Sequence, residues 1–326
     1  MKKGTLRTRR QNPGRSRLMP RELAALAFIA KAQPVATPAY QEFLGVSVSV
    51  AQRSLRKLRN LGLITVHVSA MELPSHFTIT KRAARLLSET SDQPLESKVP
   101  RGIGKLHLSH HDDGVFLYAC LLRACRNQSE LMLDRFEFET EIRQTLGLTR
   151  QTQIPDAVLV LKNRAGQRFA WAIEIDRGTE SVRFVVERKA KPYAELHACK
   201  TLLAGVADWN VVCLVPNEQR LKRLVTALYE AGMPEGQWYF TTKKILTAQT
   251  VLTTAWRTVR TTRGGERAEL TIEPPLPVST ACQNRTHRHH EHSPTETARL
   301  PSAKGAMLST NPRSNLDVDT IHADEL

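Results

Sequence analysis

No stretch of this sequence reaches the ~18–20 apolar residues that a membrane span requires. The apolar run Leu23 to Ala30 is short, comes late and meets Lys31, so it does not read as a signal peptide either. Cysteine is sparse: Cys120, Cys125, Cys199, Cys213 and Cys282 are odd in number and lack CxxC or Cys/His metal spacing. Four of them lie in apolar helix- or strand-like context, the setting of buried thiols in a reducing cytoplasm. No heptad or long apolar stripe argues for a coiled-coil dimer. The first seventeen residues contain no acid at all.

What the chain has instead is positive charge. Over 326 residues the formal net charge is +15, which points to a polyanionic partner, with nucleic acid the default. That length suggests two domains. The apolar fraction of 41% is a little under the globular average, which implies that part of the chain does not pack.

The acid-free segment 1–17 carries Lys2, Lys3, Arg7, Arg9, Arg10, Arg15 and Arg17 and reads as a flexible basic arm. Residues 18–90 read as a compact helical unit. Pro20 suits a first helical turn, with Leu23, Leu26, Ala27 and Ala30 at helical spacing. A short helix fits Thr37 to Phe43, followed by the turn Leu44-Gly45-Val46-Ser47. A third helix, Val50 to Leu61, turns Val50, Leu55, Leu58 and Leu61 inward and leaves Gln52, Arg53, Arg56, Lys57 and Arg59 outward. Two β-like runs, Leu63 to Val68 and Phe77 to Thr80, then precede a last helix, Lys81 to Leu87. Three helices and a two-stranded wing make a winged helix-turn-helix, whose third helix suits a major groove, Arg toward guanine and Gln toward adenine.

Residues 91–106 read as a linker rich in Ser, Pro and charge. The run His107 to Asp113, with three histidines and two aspartates, matches no standard metal spacing and reads as the polar start of a helix reaching Arg126. Beyond Val259 the periodicity dissolves, so 259–326 reads as a disordered tail, His287, His289, His290 and His292 included.

The segment 107–258 carries the chemistry. Gln153 to Leu161 and Arg168 to Asp176 are apolar β-rich runs flanking Asn163-Arg164-Ala165-Gly166, a hairpin pattern. With the turn on Ala165-Gly166, Asp156 falls opposite Glu174 or one position off, while Glu174 and Asp176 share a face. Three carboxylates at one end of a hairpin repel one another, and a hard cation such as Mg²⁺ or Mn²⁺ would resolve the repulsion. Lys189 and Tyr193, four apart on the next helix, project from one face if that helix runs on past Pro192. Asn210 to Val215 reads as a buried strand, Glu218 to Glu230 as an amphipathic helix and Gln237 to Thr241 as another strand. The architecture expected is α+β/α/β in two domains, the second a mixed sheet flanked by helices.

Pro155-Asp156 with Glu174-Ile175-Asp176 resembles the PD-(D/E)XK signature of restriction-endonuclease-like nucleases. The longer run Glu174 to Ser181, with Glu187-Arg188-Lys189 and Tyr193, resembles the replication-relaxation family of plasmids and integrative elements over about residues 20–257. That resemblance implies a winged helix joined to a restriction-endonuclease-like core, similar to one class of mobilisation relaxases. It implies a double-stranded DNA partner with an origin-like site, and metal-dependent nicking through Asp156, Glu174 and Asp176. The signature places a lysine where this chain has Asp176; Lys189, from the neighbouring helix, is the candidate to replace it. A metal-activated water is the nucleophile expected, with Tyr193 as the covalent option. Asp176 in the lysine's place keeps a second reading open, a non-catalytic winged-helix regulator or replication accessory protein.

Overall fold

The structure, a computed structural model, describes residues 18–67, 74–90, 108–128, 130–147, 154–261, 268–272 and 275. The expected basic arm, the linker, nearly all of the wing tip and the histidine-rich stretch lie outside the described residues.

The N-terminal part opens with α1 (Pro20–Ala32), a two-residue strand β1 (Val35–Ala36), α2 (Thr37–Leu44) and α3 (Val48–Asn60). Pro20 sits in the first turn of α1, where a missing N–H costs nothing, and Glu22 accepts from the Met19 N–H. Gly45 ends α2 at φ +65°, a left-handed conformation that favours glycine. The wing follows as β2 (Ile64–His67) and β3 (His76–Ile79), and α4 (Lys81–Thr90) closes the unit. β3 lies between β1 and β2 in a three-stranded antiparallel sheet, so the wing has one strand more than its sequence pattern announced. On α3 the buried residues are Ala51, Leu55 and Leu58; Val50, expected inward, is only half-buried.

The second part begins with α5 (Leu108–Asn127), a β4 strand (Leu131–Phe138) and α6 (Glu139–Leu146). β5 (Ala157–Asn163) and β6 (Arg168–Ile175) form the expected hairpin, with Gly166 at φ +83° in its turn. Then come α7 (Val182–Val185), a π-turn (Val186–Ala190), α8 (Lys191–Ala198), β7 (Trp209–Val215), α9 (Glu218–Glu230) and β8 (Trp238–Thr242). The strand order is β10-β9-β8-β7-β6-β5-β4. The three central strands, β6 to β8, run parallel, and antiparallel pairs extend the sheet on both sides.

Two of these strands correct the expected boundary at residue 259. β9 (Arg257–Thr261) and β10 (Ala268–Ile272) pair with each other over five positions, and β9 pairs with β8. Farther on, the Pro275 carbonyl accepts from Trp171 Nε1 at 2.8 Å and Asn210 Nδ2 at 3.3 Å. Backbone pairing with an existing edge and a carbonyl for a buried indole supply what residue composition does not display.

Side chains alternate across the sheet. Leu159, Leu161, Trp171, Ile173, Val212 and Leu214 face a core shared with α5 and the winged helix. Val160, Ala170, Ala172, Val211 and Cys213 face a second core under the π-turn, α8 and α9. The winged helix and the sheet are therefore continuous through one apolar cluster. Helix α5 makes the join: His111 Nε2 lies 3.0 and 3.1 Å from the carbonyls of Ala32 and Pro34, and the buried His76 of β3 bonds Asp112 at 2.9 Å. Among the described residues no helix is long and apolar enough to cross a membrane. Cys120 and Cys213 are buried as expected, whereas Cys199, at the end of α8, is exposed.

Candidate functional site

The hairpin register places Ala157 opposite Ile173, which brings Asp156 level with Glu174. Asp156 Oδ2 accepts from the Ile175 N–H at 2.7 Å, and the Asp156 carbonyl accepts from Glu139 N–H at 2.8 Å. The carboxylate is thereby fixed at the carboxyl end of β6. Ligands in open α/β sheets gather at such strand ends. Glu174 shares the face of Ala170 and Ala172 and points under the following helix, 2% exposed.

That helix meets Glu174 through an irregularity. Pro192 offers no N–H to continue an α-helical ladder. The chain widens into the π-turn, with Lys191 N–H bonding the Val186 carbonyl five residues back, and then resumes as α8 with Pro192 in its first turn. The helix does run on past Pro192, and Lys189 and Tyr193 arrive at the same acceptor. Lys189 Nζ donates to Glu174 Oε2 at 2.8 Å, and Tyr193 Oη donates to Glu174 Oε1 at 2.6 Å. Lys189 also lies 3.6 Å from Glu180.

His110 completes the group from α5, its Nε2 2.9 Å from Asp156 Oδ1. Burial and the Asp156 charge push the Glu174 carboxyl up to about 7, with Lys189 and Tyr193 acting against them. Burial would lower His110, but the hydrogen bond and charge of Asp156 outweigh it and raise it. Burial and the neighbouring Glu174 push the Tyr193 phenol well above its ordinary value. The phenol is buried and its Oη is spent on Glu174, so Tyr193 is placed to hold that carboxylate.

Asp176 departs from the expected three-carboxylate cluster. Its N–H continues the pairing with the Leu214 carbonyl, but its side chain turns to α9. There Arg220 donates from Nε to Oδ2 at 2.6 Å and from Nη2 to Oδ1 at 3.2 Å, and Nη2 also reaches the Glu180 carbonyl at 2.8 Å. A forked guanidinium answers that charge, so Asp176 needs no cation from solution. Among the described residues no group of three or more His, Cys, Asp and Glu is arranged to hold a metal. Asp156 and Glu174 remain as a pair of hard oxygen donors, and one or two carboxylates suffice where substrate phosphate and water complete a Mg²⁺ shell.

On the winged helix, Gln52, Arg53, Arg56 and Arg59 are exposed along α3. Gln52, Arg56 and Arg59 line a groove with Thr37, Val66, Ser75 and Phe77 between that helix and the wing. Lys57 is placed differently: it holds the buried Glu22 of α1 at 2.7 Å, outweighing the effect of burial to keep that carboxyl low. Sequence spacing missed His110 and Arg220. His110 stood in the flagged polar run but without a partner; Arg220 joins Asp176 only because α9 follows β7, which runs parallel to β6.

The model of the replication-relaxation family matches residues 26–205, from within α1 past the end of α8. This chain belongs to that family. The matched span includes the winged helix from the middle of α1 onward and the Asp156–Glu174–Lys189 group. No curated protein matches the chain. Among solved structures, the adhesin competence repressor AdcR of Streptococcus pyogenes is 17% identical over 34% of this chain and 69% of its own, TM-score 0.22. A ZitR variant from Lactococcus lactis is 21% identical over 23% of this chain and 51% of its own, TM-score 0.21. Such scores carry no weight, and the winged helix rests on its own order of helices and strands.

Proposed function

We propose that this replication-relaxation protein binds double-stranded DNA of a plasmid or integrative element through its winged helix and nicks it at the carboxyl end of the sheet. The observation that carries the reading is the meeting of Asp156, Glu174 and Lys189 at one point. Two acids and a lysine are the residue kinds that a PD-(D/E)XK core would use, the lysine here delivered by the following helix. Mg²⁺ or Mn²⁺ held by Asp156 and Glu174 would supply a nucleophilic water and neutralise phosphate charge.

The protein's own groups divide the remaining work. Asp156 and Glu174 would orient the cation, with the Ile175 N–H and Tyr193 Oη fixing their planes. Lys189, raised by Glu174 against the effect of burial, stays protonated and suits the developing charge on a phosphate oxygen. His110 lies on Asp156, where it can hold or pass a proton.

One observation favours the alternative, a non-catalytic DNA-binding regulator or accessory protein: both Glu174 oxygens are already engaged, by Lys189 and Tyr193. The test is supercoiled DNA carrying the origin of the protein's own element, incubated with and without Mg²⁺. Open-circular product that requires Mg²⁺ and disappears in Glu174→Gln supports nicking. Intact supercoils with retained DNA affinity overturn nicking and leave the regulator.

A further inference from the structure

Beside the carboxylate pair, where β6 and β7 both end, the surface is concave and basic. Arg177, Gly178, Pro216, Asn217, Gln219, Arg220 and Arg223 line this cleft. Each acid that borders it is already answered: Asp176 by Arg220, Glu180 by Lys189 at 3.6 Å, and Glu218 by Arg257 at 2.5 Å. Arg177 and Arg223 have no ion-pair or hydrogen-bond partner among the described residues. Both are exposed, and both line one hollow with the half-buried Arg220, held by Asp176, as its fixed wall. Two uncompensated guanidiniums in one concave site lack an anion that the protein does not supply.

We infer that this cleft seats the phosphodiester backbone of a DNA strand where it leaves the Asp156–Glu174 site. The geometry fits a strand better than a small free anion. The cleft opens to solvent, and its lining begins at Arg177, three residues after Glu174 and just past the end of β6. A phosphate a nucleotide or more from a reacting bond is where extra cations hold a strand in position without touching the chemistry. The inference extends the DNA reading from the winged helix to the sheet end, and it stands whether or not the strand is cut.

The test uses the full chain and a fluorescein-labelled 20-nucleotide DNA, single-stranded and as a duplex, titrated by anisotropy across a salt series. Arg177→Ala/Arg223→Ala is expected to lose about tenfold in affinity at low salt, and the slope of log K against log salt should flatten by about 1.4 to 1.8, two phosphate contacts' worth. Arg177→Lys/Arg223→Lys should keep most of the slope, because charge sets it. Thermal melting of both variants checks that they fold. Wild-type affinity and slope in the alanine variant overturn the cleft while leaving the winged-helix reading standing. No binding of either DNA by the wild type overturns the DNA reading itself, and the cleft with it. Inorganic phosphate that binds the wild type by calorimetry and not the alanine variant, while the two bind DNA with the same affinity and salt slope, would make the cleft a free-anion site and overturn the strand assignment.

Discussion

Lys189 and Glu174 are fifteen residues apart in the chain, yet their charged atoms stand 2.8 Å apart at a buried sheet end. Each constrains what the other can do. Replacing Lys189 leaves Glu174 buried beside Asp156 without its cation, and replacing Glu174 leaves Lys189 with only the more distant Glu180.

Lys189→Ala should abolish Mg²⁺-dependent nicking while DNA affinity stays within about twofold of wild type, since the proposed base readout is by α3. Mn²⁺ binding, measured by calorimetry, should persist, because Asp156 and Glu174 remain. Loss of Mn²⁺ binding in this variant would show that the lysine organises the carboxylates rather than the phosphate.

Stability should fall as pH rises. Glu174 has its folded value raised from 4.5 to about 7, so its contribution is complete below pH 4.5 and is lost as pH climbs through about 7. His110, raised above 6.5, works in the same direction and is lost above its raised value. Melting temperatures in metal-free buffer should therefore drop by a few degrees between pH 5 and pH 8, and Glu174→Gln should flatten much of that slope. Added Mg²⁺ should restore the wild type at pH 8 and do little for the variant. A flat wild-type profile would contradict the raised carboxyl.

Asp176 should behave as a structural anion. Its side chain and that of Arg220 are both largely buried, 4% and 11% exposed. Asp176→Asn leaves the guanidinium without a charge to answer it, at a cost of about 3 kcal/mol read by urea unfolding. The same substitution at Asp156, beside Glu174, should cost much less, since it also relieves repulsion. Equal losses at the two positions would count against this division.

The basic residues of α3 should separate in the same manner. Arg56→Ala should leave folding unchanged and cost about 1–3 kcal/mol against the preferred DNA site. Lys57→Ala should cost about 1 kcal/mol of stability, because it strips the cation from buried Glu22 across a partly solvated pair. Gel-shift titration and thermal melting on the two variants distinguish the roles.

Local pattern carried much of this architecture. The hairpin, its register and the span Glu218–Glu230 were legible because apolar period and a glycine turn point the same way. β1 is too short to show a period, and β9 and β10 are held by edge pairing, which leaves little mark on polar sequence. The reach of Lys189 was legible only on condition that the helix survived Pro192, and the π-turn satisfies that condition. Asp176 misled because alternation tells which face a side chain takes. It says nothing of the helix α9 that crosses that face and offers Arg220.

Three consecutive residues at the start of α5 look in three directions: His110 to Asp156, His111 to the carbonyls of Ala32 and Pro34, and Asp112 to His76 on the wing. With the shared apolar cluster behind them, they leave the DNA reader no free swing against the sheet. A duplex held by α3, as proposed, would then meet the carboxylates at one set offset, as a ruler meets its mark. Whatever happens at that end should fall a constant number of base pairs from the sequence recognised.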